Sequence, residues 1–481
     1  MKKTKIICTM GPNTDNREML TRLALHGMDV ARFNFSHGDY TEQKNRLDLL
    51  KSVRDELGLP VAALLDTRGP EIRTGLLKDG KKVMLKDGMP YILTTREVEG
   101  GEQICQVNYE GLPACVHPGT HILIDDGLID LEIEKIEDTE LYCRVVSGGE
   151  LGQRKGVNVP KTKIDLPGLT EKDRNDIRFG IEQGFDFIAA SFVRNADVIR
   201  EIRQMLKEAD SRIKIIAKIE NEEGIENLDE IIRESDGIMV ARGDLGVEIP
   251  PQKLPYIQKT VICKCNITCK TVIVATQMLD SMIRNPRPTR AEVTDVANAV
   301  YEGADAVMLS GETAMGKYPV EALKIMAQIC RDTEEHLDEC FYKKRRISQE
   351  NLCSVSNAVC YSSVSTAHDL HAKVIVAPSM SGFTAWMLSK WRPQTPIIGL
   401  SPDAQVVRQM QLFWGVLPFQ AKRAESTDIL IYSSLELLAQ KGIVAEGDLI
   451  VATAGIVHDL NKTEASQHTN IMRVVEITES C

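Results

Sequence analysis

The sequence predicts an α/β chain: a (β/α)8 barrel, a β-rich lid domain inserted after the third strand, and a separate C-terminal α/β domain. Three observations carry that expectation. Eight short apolar runs alternate with amphipathic stretches, the pattern of buried parallel strands with helices between them. Between about residues 75 and 165 the text becomes alternating apolar and polar residues with Asp-Gly and Gly-Gly turns, which reads as antiparallel strands. From about residue 340, after "HLDECFYKKRRISQE", a further block of βα text begins, long enough for a domain of its own.

The elements follow in order. "KIICTMG" (5–11) precedes a helical pattern from Asn16 to His26. "DVARFNFS" (29–36) precedes a helix ending at Leu57, and "VAALLDT" (61–67) is the third strand. The insertion holds "KKVMLKDGMPYILTT", "THILIDDGLIDLEIEKIE" and "ELYCRVVSGGEL". Helical text resumes with "EKDRNDIRFGIEQG" at 171. The runs "FDFIAASFV" (185–193), "IKIIAKIE" (213–220), "GIMVARGD" (237–244), "TVIVATQM" (271–278) and "ADAVMLSG" (304–311) follow. Three units before the insertion and five after it close a barrel. An open doubly wound sheet is the alternative, but no G-x-G-x-x-G opens a helix after the first strand. The predicted boundaries are 1–70 and 168–338 for the barrel, 71–167 for the lid, and 339–481 for the last domain. That domain contains "KVIVAPS", "PIIGLS", "VLPF", "DLIVATAG" and "IMRVVEI".

Composition excludes several classes. With 43% hydrophobic and 26% charged residues the chain reads as soluble and globular. A net charge of −11 argues against a nucleic-acid surface. "MKKTKIICTMGP" has no apolar core for a signal peptide, and no uninterrupted apolar stretch is long enough to span a membrane. Twelve cysteines lack paired C-x-x-C spacing, so free thiols in a reducing cytoplasm are expected. Cys263, Cys265 and Cys269 cluster without a histidine nearby and match no structural zinc spacing.

Function in such barrels collects at the carboxyl ends of the strands, and here those ends are polar. They carry Arg32, Asn34, Ser36 and His37; Asp66, Thr67, Arg68, Glu71 and Arg73; Ser191; Lys218 and Glu220; Arg242 and Asp244; Thr276; Ser310 and Glu312. A single charged strand end is usually a solvated cap. Seven converging on one mouth are not explained by solubility. Lys218 and Glu220, two apart on a strand, point to the same side. Glu220 and Asp244 are hard oxygen ligands suited to Mg²⁺. Lys218 places an ammonium against a transferring phosphoryl group, and Arg32 and Arg73 suit phosphate oxygens. Gly243 lets the backbone approach a small ligand. Asn34, Ser36, Asp66 and Thr67 form an oxygen-rich, singly acidic set, better suited to a larger monovalent cation than to Mg²⁺. The chemistry suggested is phosphoryl transfer with a small anionic metabolite, without a Walker A or kinase glycine-rich loop.

The strings "ARFNFSHG", "LDTRGPEIRTG", "KGVNVP", "AKIENEEG", "IMVARGDLGVEIP", "VATQMLDSMIRNPRPTRAEVTDVANAV" and "VMLSGETAMGKYPVEA" resemble the pyruvate kinase family, from about residue 3 to 330 and more loosely to the C-terminus. The resemblance implies phosphoryl transfer from phosphoenolpyruvate to ADP, giving pyruvate and ATP in the cytoplasm, by a homotetramer. It implies Mg²⁺ (or Mn²⁺) on Glu220 and Asp244, with Lys218 stabilising the phosphoryl group. Gly243, Asp244 and Thr276 would meet the substrate carboxylate, with Thr276 near the carbon that is protonated. K⁺ would lie among Asn34, Ser36, Asp66 and Thr67, beside Arg32, which binds substrate. Asn34, His37, Arg73 and Lys155 would face the nucleotide. Two departures stand out: Arg68 where "DTKGPEIRTG" is usual, and Ala217 where "SKIEN" is usual. A metal-dependent lyase or aldolase with Lys218 as a Schiff-base amine, and a non-catalytic metabolite sensor, are the alternatives.

In "APSMSGFTAW", Ser379, Ser381 and Thr384 surround Gly382 at a strand-to-helix turn, where amides and hydroxyls make an anion site or a simple N-cap. In resembling enzymes this loop grips the phosphate of a sugar-phosphate or nucleotide effector. "TAGIVHDLNKTEASQHTN" gives no clear effector-loop match.

Overall fold

The computed structural model describes residues 2–337, 354–423, 426–455 and 469–478. Eight parallel strands close into a barrel in chain order: β1 (Lys5–Thr9), β2 (Val30–Asn34), β3 (Ala62–Asp66), β4 (Phe187–Ala190), β5 (Lys214–Ile219), β6 (Gly237–Ala241), β7 (Thr271–Ala275) and β8 (Ala306–Leu309). Their apolar side chains are almost completely buried, as layers of Ile, Val, Leu and Ala fill such barrels. Each strand is shorter than its apolar run: the run continues into the loop that builds the site.

Several helices begin and end where the sequence supplies caps. Asn16 accepts from the Met19 amide to start Arg17–Leu25. Asp39 caps Tyr40–Leu57, and Gly58 ends that helix in the left-handed region at φ 63°, where glycine carries no Cβ penalty. Thr170 and Asp173 form a reciprocal capping box on Glu171–Gln183.

A repeated device closes the amino end of the barrel. Asp29, Asp186, Asp236 and Asp305 precede the four even strands. Each accepts a backbone amide from the preceding strand: Ile6 at 2.7 Å, Ala63 at 2.9 Å, Ile215 at 2.9 Å and Val272 at 2.8 Å.

Residues inserted after β3 form a six-stranded sheet with its own apolar core around Tyr91, Leu93, Leu131 and Leu141. Most pairs are antiparallel, but Pro90–Thr94 and Ile104–Gln106 pair in parallel. The loop 95–103 carries the chain back to the start of the first strand, so both run the same way. At the Asp-Gly hairpin Asp125, Asp126 and Gly127 all have positive φ, which short polar residues and glycine tolerate.

In the last domain five strands order as Val416–Gln420, Ile397–Ser401, Val374–Pro378, Leu449–Ala454 and Ile471–Glu476, the final one antiparallel. The domain docks on the amino end of the barrel. Arg408 reaches Asp186 at 2.8 Å, Arg392 reaches Asp305 at 2.7 Å, and the Lys5 ammonium donates to the Val416 carbonyl at 2.6 Å.

Candidate active site

At the carboxyl ends of β3, β4 and β5 the chain assembles a buried charge network. The Lys218 ammonium lies 3.0 Å from Asp66 Oδ1, 2.9 Å from Glu220 Oε1 and 2.7 Å from Ser191 Oγ. Arg32 Nε donates to Asp66 Oδ2 at 2.6 Å. Lys218 and Glu220, one side chain apart on the same face, meet directly. Phe192 N donates to Glu220 Oε2 at 2.6 Å and fixes that carboxylate.

Burial alone would strip Lys218 of its proton; Asp66 and Glu220 reverse this and hold its pKa above the usual lysine value. Burial pushes Asp66 up, but Arg32 and Lys218 outweigh it and hold its carboxyl below the ordinary range. Glu220 moves the other way. Burial raises it and nearby Asp244 raises it further, against the pull of Lys218. Two close carboxylates, one of them buried, suit a divalent cation, which needs only one or two protein carboxylates.

Around β6 and β7 the backbone is strained. Thr276 and Gln277 have φ of 69° and 53°, and a β-branched residue there is a genuine outlier. Such strain persists only where surroundings hold it. Arg242 supplies the clamp, donating to the Thr276 carbonyl at 2.8 Å while pairing with Asp295 at 2.7 Å. The Thr276 hydroxyl accepts from Gly243 N at 2.7 Å. Gly243 and Asp244 lie in the first turn of the helix Arg242–Glu248, which starts immediately after β6.

A cleft of about 680 Å³ lies between lid and barrel mouth, lined by His37, Arg73, Asp126, Lys155, Asn158 and Asp244 among others. Two cations of the cleft already have partners: Lys155 pairs with Asp125 at 2.8 Å, and Arg73 with Glu71. Asn158 of the lid donates to Glu248 of the barrel at 2.7 Å.

The set proposed for a monovalent cation is brought together at the ends of β2 and β3. Asn34 and Asp66 are register partners, Asn34 Oδ1 accepts from Ser36 N at 3.0 Å, and Thr67 follows Asp66. The donors are all oxygen and carry one charge, which fits K⁺. Asp66 does not face the cleft as a bare charge, because both its oxygens are taken by Arg32, Lys218 and Ser191.

Other strand-end residues turn out to hold loops. Glu312 accepts from Leu279 N and Ser310 N, and Asn221 caps the short helix Glu222–Glu226. Sequence reasoning missed the role of Ser191, whose hydroxyl touches Lys218, Asp66 and the Thr67 carbonyl. The signal was its place at the end of β4, level with Lys218.

In the last domain Gly382 (φ 77°) is the N-cap of Phe383–Lys390, without a side-chain cap bond. Ser381 is exposed, whereas Thr384 is buried and its hydroxyl is 2.9 Å from that of Thr469. Most of "TAGIVHDLNKTEASQHTN" lies outside the described residues.

Comparison with known proteins agrees along the chain. Residues 1–323 match the family model for the pyruvate kinase barrel domain, and residues 357–475 match that for the pyruvate kinase alpha/beta domain. Pyruvate kinases of Staphylococcus aureus strains MRSA252 and USA300 are 48% identical over 478 residues, covering 98% of this chain and 80% of theirs. A crystal structure of a pyruvate kinase from Cryptosporidium parvum is 40% identical with a TM-score of 0.91, covering 99% of this chain and 96% of that one. Barrel, inserted domain and a mouth of paired cations and carboxylates, together with these matches, place the chain among phosphotransferases. The chain belongs to the pyruvate kinase family, in which metal and potassium dependence are general.

Proposed function

We propose that this chain carries out the family's reaction, moving the phosphoryl group of phosphoenolpyruvate to ADP, with its own residues in the following roles. The P–O bond to the enol oxygen breaks and a P–O bond to the β-phosphate of ADP forms. The released enolate takes a proton at its methylene carbon. Lys218 and Arg32, buried and aimed by Asp66, hold the phosphoryl oxygens through the transfer. Gly243, Asp244 and the strained Thr276 receive the substrate carboxylate beside that carbon. Arg73 and Lys155 exchange their carboxylate partners for the nucleotide phosphates, with His37 and Asn34 at the same side of the cleft. Closing the lid excludes water.

Glu220 and Asp244 would hold Mg²⁺ (or Mn²⁺), and Asn34, Ser36, Asp66 and Thr67 would hold K⁺. When bound, these ions neutralise charge on the phosphoryl group and help orient it. The observation that carries the reading is the buried Lys218 ammonium between two carboxylates at a strand end. That raised pKa also counts against the aldolase alternative, since a Schiff-base amine must lose its proton.

The antiparallel edge strand Ile471–Glu476 exposes Met472 and Val474. An apolar open edge suits pairing with another subunit, in keeping with a homotetramer. Among the described residues no helix is long and apolar enough to cross a membrane; a cytoplasmic location is proposed from the free thiols. The uncapped turn at Gly382, with Ser379 and Ser381, would take the phosphate of an effector. The test is pyruvate formation from phosphoenolpyruvate and ADP with Mg²⁺ and K⁺ present. Activity that disappears without either substrate is expected, and no pyruvate under those conditions would refute the reading.

A further inference from the structure

Far from the mouth, where the C-terminal domain meets the amino end of the barrel, a small cavity opens between β7, the start of β8 and the helix Phe383–Lys390. It measures about 20 Å³ and is lined by Lys270, Asp305, Trp386, Ser389, Lys390 and Arg392 among others. A volume of roughly 10–15 Å³ or more holds one water-sized guest. Three of the lining side chains are cations and one is a carboxylate.

Arg392 is 2% exposed. Its Nη2 is used: Asp305 lies at 2.7 Å, and Asn266 Oδ1 and the Gly303 carbonyl at 3.0 Å. Its Nε and Nη1 are buried and have no acceptor among the described residues. The guanidinium carbon sits 4.9 Å from the Trp414 ring centroid, and that contact does not satisfy an N–H. Buried donors without acceptors are costly, and more so on a charged group. Asp305 is the one carboxylate in the lining against three cations, and Glu334 also acts on Arg392. Lys270 spends its ammonium on the carbonyls of Arg233 and Ser235, at 3.1 and 2.5 Å, which carry no full charge.

We infer that this cavity is a site for one halide-sized monovalent anion, held by Arg392 with Lys390 and Lys270 and stitching the C-terminal domain to the barrel. A water would accept from Arg392 but leave the excess positive charge unbalanced. A phosphate ester is too large for the space.

Two measurements test it on the full chain. Crystals grown with sodium bromide should show an anomalous bromine peak within hydrogen-bond distance of Arg392 Nε or Nη1. In solution, potassium chloride replacing potassium gluconate at constant ionic strength should raise the unfolding temperature saturably, by about 1–3 °C. Lys390→Gln should lose most of that rise while keeping turnover. No bromine peak at Arg392 would overturn the inference. So would a rise that is linear in chloride, or one unchanged in Lys390→Gln.

Discussion

A lone buried ammonium would shed its proton, and a lone buried carboxylate would keep one. Lys218 and Asp66 avoid both outcomes by sharing one pocket, whereas burial and Asp244 keep Glu220 raised, and Ser191 aims the ammonium. Ser191→Ala removes an acceptor at 2.7 Å, and a lost hydrogen bond to a charged group costs about 1.5–3 kcal/mol. Turnover should therefore fall by roughly 10-fold or more, with Mg²⁺ affinity and unfolding temperature little changed; unaltered kcat would remove Ser191 from the network. The proposed monovalent-cation site is also a matter of single residues. Arg68 Nε lies 4.0 Å from Glu71, which also pairs with Arg73. Glu71 is therefore balanced by two arginines rather than adding bare negative charge to the cage. Turnover should need millimolar K⁺ in a tetramethylammonium buffer, and Arg68→Lys should leave that need unchanged. Full wild-type activity without K⁺ would remove the assignment of Asn34, Ser36, Asp66 and Thr67.

Among the elements, the strands were the most legible. Every barrel run contained its strand, because burial on both faces writes an unbroken apolar text. The runs overshot at their carboxyl ends because the site loops keep apolar residues such as Phe192 and Met278 among their polar ones. The helix that starts at Arg242 and the left-handed Thr276 left no local signal, since tertiary clamps hold them. The parallel pair in the lid was missed for a similar reason: alternation shows a strand but not its direction. The role of Ser191 was illegible because a lone serine at a strand end is commonplace. Within the lid, Lys155 lines the cleft while paired with Asp125 at 2.8 Å. Lys155→Ala should raise the KM for ADP by about tenfold, the size of one charged contact, and leave that for phosphoenolpyruvate within twofold. Equal loss for both substrates would contradict a lid lysine devoted to the nucleotide.

Across the whole molecule, the two ends of the barrel do different work. The carboxyl ends gather the buried network of Lys218, Asp66 and Glu220, and the amino ends carry the repeated aspartates on which the C-terminal domain is anchored through Arg392 and Arg408. Lys5 belongs to that seam. Burial pulls its pKa from 10.5 to about 8, with Asp29 offsetting only part. Below pH 8 both folded and unfolded chains carry the proton, so the cost of burying the charge is fully present. Between pH 8 and 10.5 the unfolded chain binds more protons, so stability rises with pH by up to ~1.4 kcal/mol per unit. Wild type should therefore gain on Lys5→Met between pH 8 and pH 10 in chemical unfolding; a constant difference would show that Lys5 keeps an ordinary pKa in the fold.

The central claim is that the buried ammonium of Lys218, set between Asp66 and Glu220, carries the phosphoryl transfer. The most direct test is the turnover of Lys218→Met with saturating phosphoenolpyruvate, ADP, Mg²⁺ and K⁺, on protein whose fold is verified by circular dichroism. The account predicts a loss of ~10²–10³-fold or more in kcat with the fold intact. Turnover within a few-fold of wild type would contradict it.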